Sequence, residues 1–385
     1  MTDKTQGVPI YLDHNATTPI DPVAVETMIP YLKGEFGNPS SGYPLGKRAK
    51  EGVEQARGEV GALLGCQPGE VVFTSGGSES NNMVLKGLIN LADPKAFHII
   101  TSAIEHPAIL NPALFLMELG AKVTILPVDR LGQVDPDDVR KAISSRTTLI
   151  TLMLANNETG VLQPIREVSQ IARDHNVLFH TDAAQAVGKI EVDIDNLEVD
   201  FLSVAGHKFY GPKGVGVLYV RTGCSLTPLI HGAAQENGMR AGTENVVLAA
   251  GLGAACRVAK ERLEEDFERN CFLRNRLQEL LFEGINGLVL NGHGEKRLPN
   301  TLNVSIPGLE GGKILDGLPT ILASTGAACH DRTIKLSHVL SAMSVPPEVG
   351  VGALRLTLGR SNTMGQIEES ARLIIEQVKG MRGEK

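Results

Sequence analysis

Thr148-Leu149-Ile150-Thr151-Leu152-Met153 and Val177-Leu178-Phe179-His180-Thr181 are two short apolar runs, and the stretch between them, 165–175, has helical character. Such runs predict strands buried on both faces, and a helix between two of them predicts a parallel βαβ unit. The rhythm continues outward. Upstream, strands are expected at 71–74, 98–102 and 122–126, with helices opening near Glu79 and covering 111–119 and 137–143. Downstream, 199–204 and 215–220 read as two more short core strands. The expected architecture is α/β, with a mostly parallel sheet and helices on both of its faces.

From about Glu261 the character changes. A charged amphipathic helix is expected over 262–281, then shorter strands such as 301–306, then a C-terminal helix over 364–378. The apolar segment 246–256 is broken by Arg257 and is too short to span a bilayer. We therefore expect a large domain over 16–258 and a smaller α+β domain built from 1–15 and 259–385.

Composition narrows the function. The chain has 385 residues, enough for a substantial core and more than one domain. Its net charge of −7 argues against a nucleic-acid-binding surface. Five cysteines, an odd number without a C-x-x-C pair, argue against a disulfide framework and a cysteine zinc site. The histidine spacing offers no zinc-hydrolase pair, so no metal is expected. No signal peptide is apparent, and a cytoplasmic location is expected.

Several motifs sit where strands end. Gly206-His207-Lys208-Phe209-Tyr210-Gly211 lies on a tight turn between two core strands. A lysine there is either an ordinary solvated loop residue or is desolvated, which would lower its pKa and make it a usable amine nucleophile. Ser75-Gly76-Gly77-Ser78 follows a strand and opens a helix, a cup of backbone N–H groups suited to phosphate or to an ordinary Ser cap. Asp182 could pair with a protonated ring nitrogen or cap a helix, and His106 could stack on a flat cofactor or serve as a core histidine. Asn156-Asn157-Glu158 ends another strand. Arg355 is a charge in an apolar strand, either a two-pronged carboxylate grip or a residue on a solvent-facing side. Cys329 has small residues before it and His330 and Arg332 after it, a setting for either a reactive thiolate or an ordinary inert cysteine.

Phosphate cup, stacking His, ring-nitrogen Asp, amine Lys and gripping Arg together describe a pyridoxal phosphate enzyme acting on an amino acid. The chain resembles the cysteine desulfurase and selenocysteine lyase family, in the class V aminotransferase group of fold-type I enzymes. The resemblance runs through Tyr11-Leu12-Asp13-His14-Asn15-Ala16-Thr17-Thr18-Pro19, the Thr74–Asn82 segment, Glu105-His106, Asn156–Gly160, His180–Gln185, Gly206-His207-Lys208, Arg240–Asn245, Gly326–Cys329 and Arg355.

That resemblance implies a seven-stranded, mostly parallel sheet in the large domain and a cysteine loop on the small one. It implies that Lys208 holds pyridoxal 5'-phosphate as a Schiff base and moves the substrate Cα proton. His106 would stack on the ring, Asp182 would pair with its nitrogen, and Gln185 would bond its hydroxyl. Gly77, Ser78 and His207 would hold the phosphate, with Thr243 reaching the neighbouring subunit's phosphate in a homodimer. Asn157 and Arg355 would grip the substrate carboxylate, with Asn15 also in the substrate site and Asn157 beside the cofactor. Cys329 would take the sulfur as a persulfide for an acceptor protein, as in iron–sulfur cluster assembly.

Three positions depart from the family pattern: Ala205 where a serine is common, Ser78 where threonine is common, and His330-Asp331-Arg332 after Cys329. The Gly-Ala-Ala-Cys-His string resembles selenocysteine lyases, whereas the length from Cys329 to Arg355 resembles long-loop desulfurases. L-cysteine is the expected substrate and L-selenocysteine the alternative. An aminotransferase on the same fold and a non-enzymatic sulfur carrier are more distant rivals.

Overall fold

The computed structural model describes residues 9–89, 93–326 and 336–384. A seven-stranded sheet forms the centre of the molecule. Its strands lie in the order Val71–Thr74, Gly216–Val220, Phe201–Ala205, Leu178–Asp182, Thr147–Met153, His98–Ser102 and Lys122–Leu126. Gly216–Val220 runs antiparallel to both neighbours, and the other pairings are parallel.

Side-chain alternation explains why this sheet needs helices on both faces. Ile100, Ile150, Leu152, Phe179, Leu202 and Val204 enter one apolar cluster with Val53, Val60, Val168 and Leu252. Ile99, Leu149, Phe201 and Leu218 enter a second with Met83, Leu85, Ile109 and Leu116. A strand apolar on both sides is stable only when both are covered. The edge strand Lys122–Leu126 starts on an exposed lysine, a charge that discourages further strand addition.

Chain order places the site. After His98–Ser102 the chain steps outward to Lys122–Leu126. It then crosses back to Thr147–Met153 on the other side and continues away through Leu178–Asp182 and Phe201–Ala205. The order therefore reverses between His98–Ser102 and Thr147–Met153. Ligands of open α/β sheets bind beyond the carboxyl ends of the strands at such a reversal.

A separate apolar cluster joins Leu273, Leu277 and Leu281 to Leu302, Val304, Leu354, Leu356, Ile367 and Ile374. Its strands, Ala353–Thr357, Thr301–Ser305 and Val289–Leu290, are antiparallel and are covered by the helix Met364–Arg382. Ile10 and Leu12 enter the same cluster, and Ile10–Tyr11 pairs parallel with Ile321–Leu322.

One expectation fails here. The apolar segment 246–256 and the charged stretch 262–281 are not separated at Arg257; a single helix runs from Val246 to Gly284. Arg257 extends its charge to Glu59 and Glu261, each at 3.7 Å, while its backbone stays helical. An arginine changes which face is wet without breaking the hydrogen-bond ladder. The helix passes from the first core, through Ala249, Leu252 and Cys256, to the second, through Leu273 and Leu277. The expected boundary at 258 falls inside this helix. No helix among the described residues is long and apolar enough to cross a membrane.

Candidate active site

A cavity of about 490 Å³ opens at the carboxyl ends of the strands. Asn15, Gly77, Ser78, His106, Asn157, Asp182, Gln185, His207, Lys208 and Arg355, all singled out from the sequence, line it. Thr243 does not. It lines a separate cavity with Thr74, Ser75 and Arg240. Cys329 and His330 lie outside the described residues.

Lys208 ends the short turn Gly206–Lys208 that directly follows the strand Phe201–Ala205. Its Nζ donates to the carbonyl oxygens of Asn15 at 2.7 Å and Ala16 at 2.9 Å. Burial lowers its pKa to about 8; Arg355 pushes the same way, and Asp182 and Asp13 push back. An amine with that pKa is neutral often enough near pH 7 to attack a carbonyl.

Asp182 is the last residue of Leu178–Asp182 and is 6% exposed. Its Oδ2 accepts from Asn81 Nδ2 at 2.7 Å and its Oδ1 from the Ala184 N–H at 3.0 Å. Asn81 had no role in the sequence reading. It lies one turn after Gly77 on the helix Gly77–Gly87, so a residue four positions into that helix faces the same strand ends.

The helix Gly77–Gly87 enters through Gly76, whose φ of 146° is a conformation that side-chain-bearing residues avoid. A Cβ on Gly216 would lie 2.6 Å from Gly76 Cα, so two glycines let this loop lie against the strand. A Cβ on Gly77 would reach 3.5 Å from the Ala205 Cβ and 3.8 Å from the Ala184 Cβ. The bare helix start therefore leaves a cradle at the cavity floor, with backbone N–H groups turned to an anion. His207 stands nearby, its Nδ1 3.1 Å from Thr17 Oγ1 and its pKa held at about 4 by burial and by Lys208, Lys213 and Lys189. A neutral imidazole offers one N–H donor there.

His106 caps its own helix, Pro107–Glu118: its Nδ1 accepts from the Ala108 N–H at 3.1 Å. That bond fixes the tautomer, leaving the neutral ring's proton on Nε2. Desolvation at the cavity wall lowers its pKa, Asp182 opposes this, and Lys208 and His338 add to it.

Arg355 is 6% exposed, not on a solvent-facing side of its strand. Its guanidinium donates to Asp13 Oδ1 at 2.7 Å and to the Asn157 carbonyl at 3.3 Å. Among the described residues its Nε is buried without a partner. Asp13 is a second residue the motifs gave no role; it aims the guanidinium. Glu158 behaves differently from its neighbours. It accepts from Ser337 Oγ at 2.5 Å, and a Cβ on Gly326 would come 2.9 Å from its Oε2. Burial raises its pKa; Ser337, His338 and Arg355 lower it.

A third unforeseen residue is Lys189, 8% exposed, whose Nζ donates to Gln185 Oε1 at 2.7 Å and Asn15 Oδ1 at 2.9 Å. Sequence reading passes over it as a lysine after a glycine.

These residues fit pyridoxal phosphate: a glycine cradle for an anion, a carboxylate with room for one more donor, a flat ring at the wall and a desolvated amine. Among the described residues no group of His, Cys, Asp or Glu could hold a metal ion.

The model of the family "Aminotransferase class-V" matches residues 10–369. The chain is 47% identical to the cysteine desulfurase IscS of Dictyoglomus turgidum, over 92% of this chain and 90% of the relative. It is 45% identical to the cysteine desulfurase IscS of Methanosarcina thermophila, over 98% and 94%. A solved NifS-like protein, 37% identical, superposes with a TM-score of 0.90 over 97% of this chain and 100% of the other. The chain belongs to the class-V aminotransferase family, whose cysteine desulfurases are pyridoxal-phosphate-dependent.

Proposed function

We propose that this class-V family member is a cysteine desulfurase, taking sulfur from L-cysteine, leaving L-alanine and passing the sulfur to an acceptor protein. The observation that carries the reading is one cavity in which Lys208, Asp182, His106 and Arg355 converge, in a chain whose relatives are named cysteine desulfurases.

When bound, the cofactor supplies an electron sink conjugated to the substrate amine, which weakens bonds at Cα and activates the Cβ substituent. Asp182 keeps a proton on the ring nitrogen, and Asn81 keeps Asp182 in place. Gly77, Ser78 and His207 hold the phosphate. Lys208 carries the cofactor and then moves the Cα proton, a task suited to a pKa of about 8. His106 stacks on the ring and presents its Nε2 proton. Arg355, aimed by Asp13, grips the substrate carboxylate with Asn157 and Asn15 beside it.

Cys329 is the sulfur acceptor in this reading. Its thiol gives up a proton and bonds the substrate sulfur as the carbon–sulfur bond breaks. The Cβ left behind gains a proton, so thiol and cysteine become persulfide and alanine. A homodimer belongs to the same proposal, with Thr243 serving the neighbouring cofactor. So does a cytoplasmic location, which cysteine usage supports.

Alanine formation from L-cysteine and from L-selenocysteine, measured on the wild type and on Cys329→Ala, tests this. Cysteine should be turned over by the wild type, and the substitution should abolish sulfur transfer. A preference for selenocysteine by several orders of magnitude would sink the desulfurase reading. Full activity of Cys329→Ala with consumption of a keto acid would make the protein an aminotransferase.

A further inference from the structure

Lys189 carries a buried amine whose Nζ donates to two side-chain amide oxygens, and the charges that bear on it, Lys208 and Arg355, are both positive. Burial with like charges drives its pKa well below the ordinary value. An apolar residue would be cheaper in such a place. Its contacts give the reason for a lysine.

Gln185 lies between two fixed points. Its Nε2 donates to the Asn15 carbonyl at 2.9 Å, and its Oε1 accepts from Lys189 at 2.7 Å. Reversing the amide would set its oxygen against the Asn15 carbonyl and take that oxygen away from the Lys189 N–H, so the chemistry of the partners settles the orientation. Asn15 alone would hold the amide by one bond and leave it free to swivel. Lys189 fixes the other end. Lys189 is itself anchored through Asn15, whose Oδ1 also accepts from Asn300 Nδ2 at 3.1 Å and whose Nδ2 donates to Thr301 Oγ1 at 2.9 Å. The amide's second N–H is left for the cavity that Gln185 lines.

We propose that Lys189 is a positioning residue that sets the polarity of the Gln185 amide, so that an N–H faces the cavity and meets an oxygen acceptor, the ring hydroxyl of the cofactor. The proposal rests on the cofactor reading above. Asn15 joins the two lysines: its carbonyl holds Lys208 and its side chain holds Lys189. The cofactor anchor and the hydroxyl donor are thereby held by one residue.

The test uses pyridoxal phosphate with the full chain. Cofactor dissociation constant and visible absorbance maximum are measured for the wild type, Lys189→Met, Gln185→Ala and the double variant. Lys189→Met should weaken cofactor binding about tenfold, the scale of one charge-assisted hydrogen bond, and move the absorbance maximum. Adding Gln185→Ala should cause little further change, because both substitutions remove one donor. Wild-type absorbance and affinity in Lys189→Met, or effects that multiply, overturn the proposal. Gln185→Ala removes the donor itself and leaves Lys189 in place. It should reproduce the absorbance shift even where Lys189→Met misfolds, and a wild-type spectrum would overturn the proposal. A wild type that binds no cofactor would overturn the cofactor reading and this one with it; changes confined to the variants bear on Lys189 alone.

Discussion

The two walls of the cavity are built in different ways. The wall at the sheet, with Gly77, His106, Asp182 and Lys208, is made of residues that stand at strand ends or helix starts. Each is placed by the few residues around it. The opposite wall, with Asp13, Asn15, Ser324 and Arg355, comes from segments far apart in sequence that meet through the second core. Asp13 and Arg355 form an ion pair across almost the whole chain. The sheet wall is local chemistry held by a rigid scaffold. The opposite wall exists only when the second core has formed. In the proposed function the first wall serves the cofactor and the second selects the substrate.

The largest expected effect breaks the sheet wall. Lys208→Arg keeps a positive charge but removes the amine that, in the proposed function, both carries the cofactor and moves the proton. Turnover should fall roughly 10³-fold or more, toward the upper range for a lost acid–base group. Borohydride should no longer trap cofactor on the chain, as read by mass spectrometry. A variant that turns over at near wild-type rate would remove Lys208 from the centre of the chemistry.

The opposite wall should respond in KM. If Arg355 grips the substrate carboxylate as proposed, Arg355→Met removes a charge-assisted contact worth about 1.5–3 kcal/mol, so KM for L-cysteine should rise roughly 10- to 100-fold. Asp13→Asn leaves the guanidinium but not its aim, and a smaller rise is expected. Measured well above the Lys208 midpoint, cofactor affinity should stay near wild type in both. An equal loss of cofactor would erase the distinction between the walls.

The same contrast governs what the sequence could reveal. The strands at 71–74, 98–102 and 122–126 and the polar residues at strand ends were legible because apolar runs and glycine turns report local structure. Asn81 was within reach, since it shares a helix face with Gly77. Asp13 and Lys189 carry no local signal. Asp13 matters through Arg355 and through its field on Lys208, and Lys189 through Gln185 and Asn15. The long helix was misdivided because a charge was read as a boundary. Arg257 changes which face meets water and leaves the backbone intact.

Titration separates the amine of Lys208 from ordinary lysines. Its pKa is lowered to about 8, chiefly by burial. Below that pH the amine is protonated and cannot attack, and above it the neutral form dominates. Capture of pyridoxal phosphate by the apoprotein should therefore rise about tenfold from pH 7 to 9, with a midpoint near 8, then level off. Continued rise beyond pH 10 would mean an unshifted lysine. Asp13 and Asp182 both push this pKa up, whereas Arg355 pushes it down. Arg355→Met should move the midpoint upward and Asp13→Asn downward, so the far wall tunes the near one.

The smallest effect concerns support within the sheet wall. Asn81→Ala removes the 2.7 Å donor to Asp182 and, among the described residues, leaves the carboxylate held by the Ala184 N–H. A single hydrogen bond to a charged group contributes about 1.5–3 kcal/mol where it is fully buried, and less where water can replace it. The cavity admits water, so cofactor affinity should fall only about three- to tenfold, with KM for L-cysteine nearly unchanged. That pattern would mirror Asp13→Asn: each removes a support, one showing in cofactor binding and the other in substrate binding. If Asn81→Ala raised KM instead, the two walls would not be separable in function, and the division would be one of construction alone.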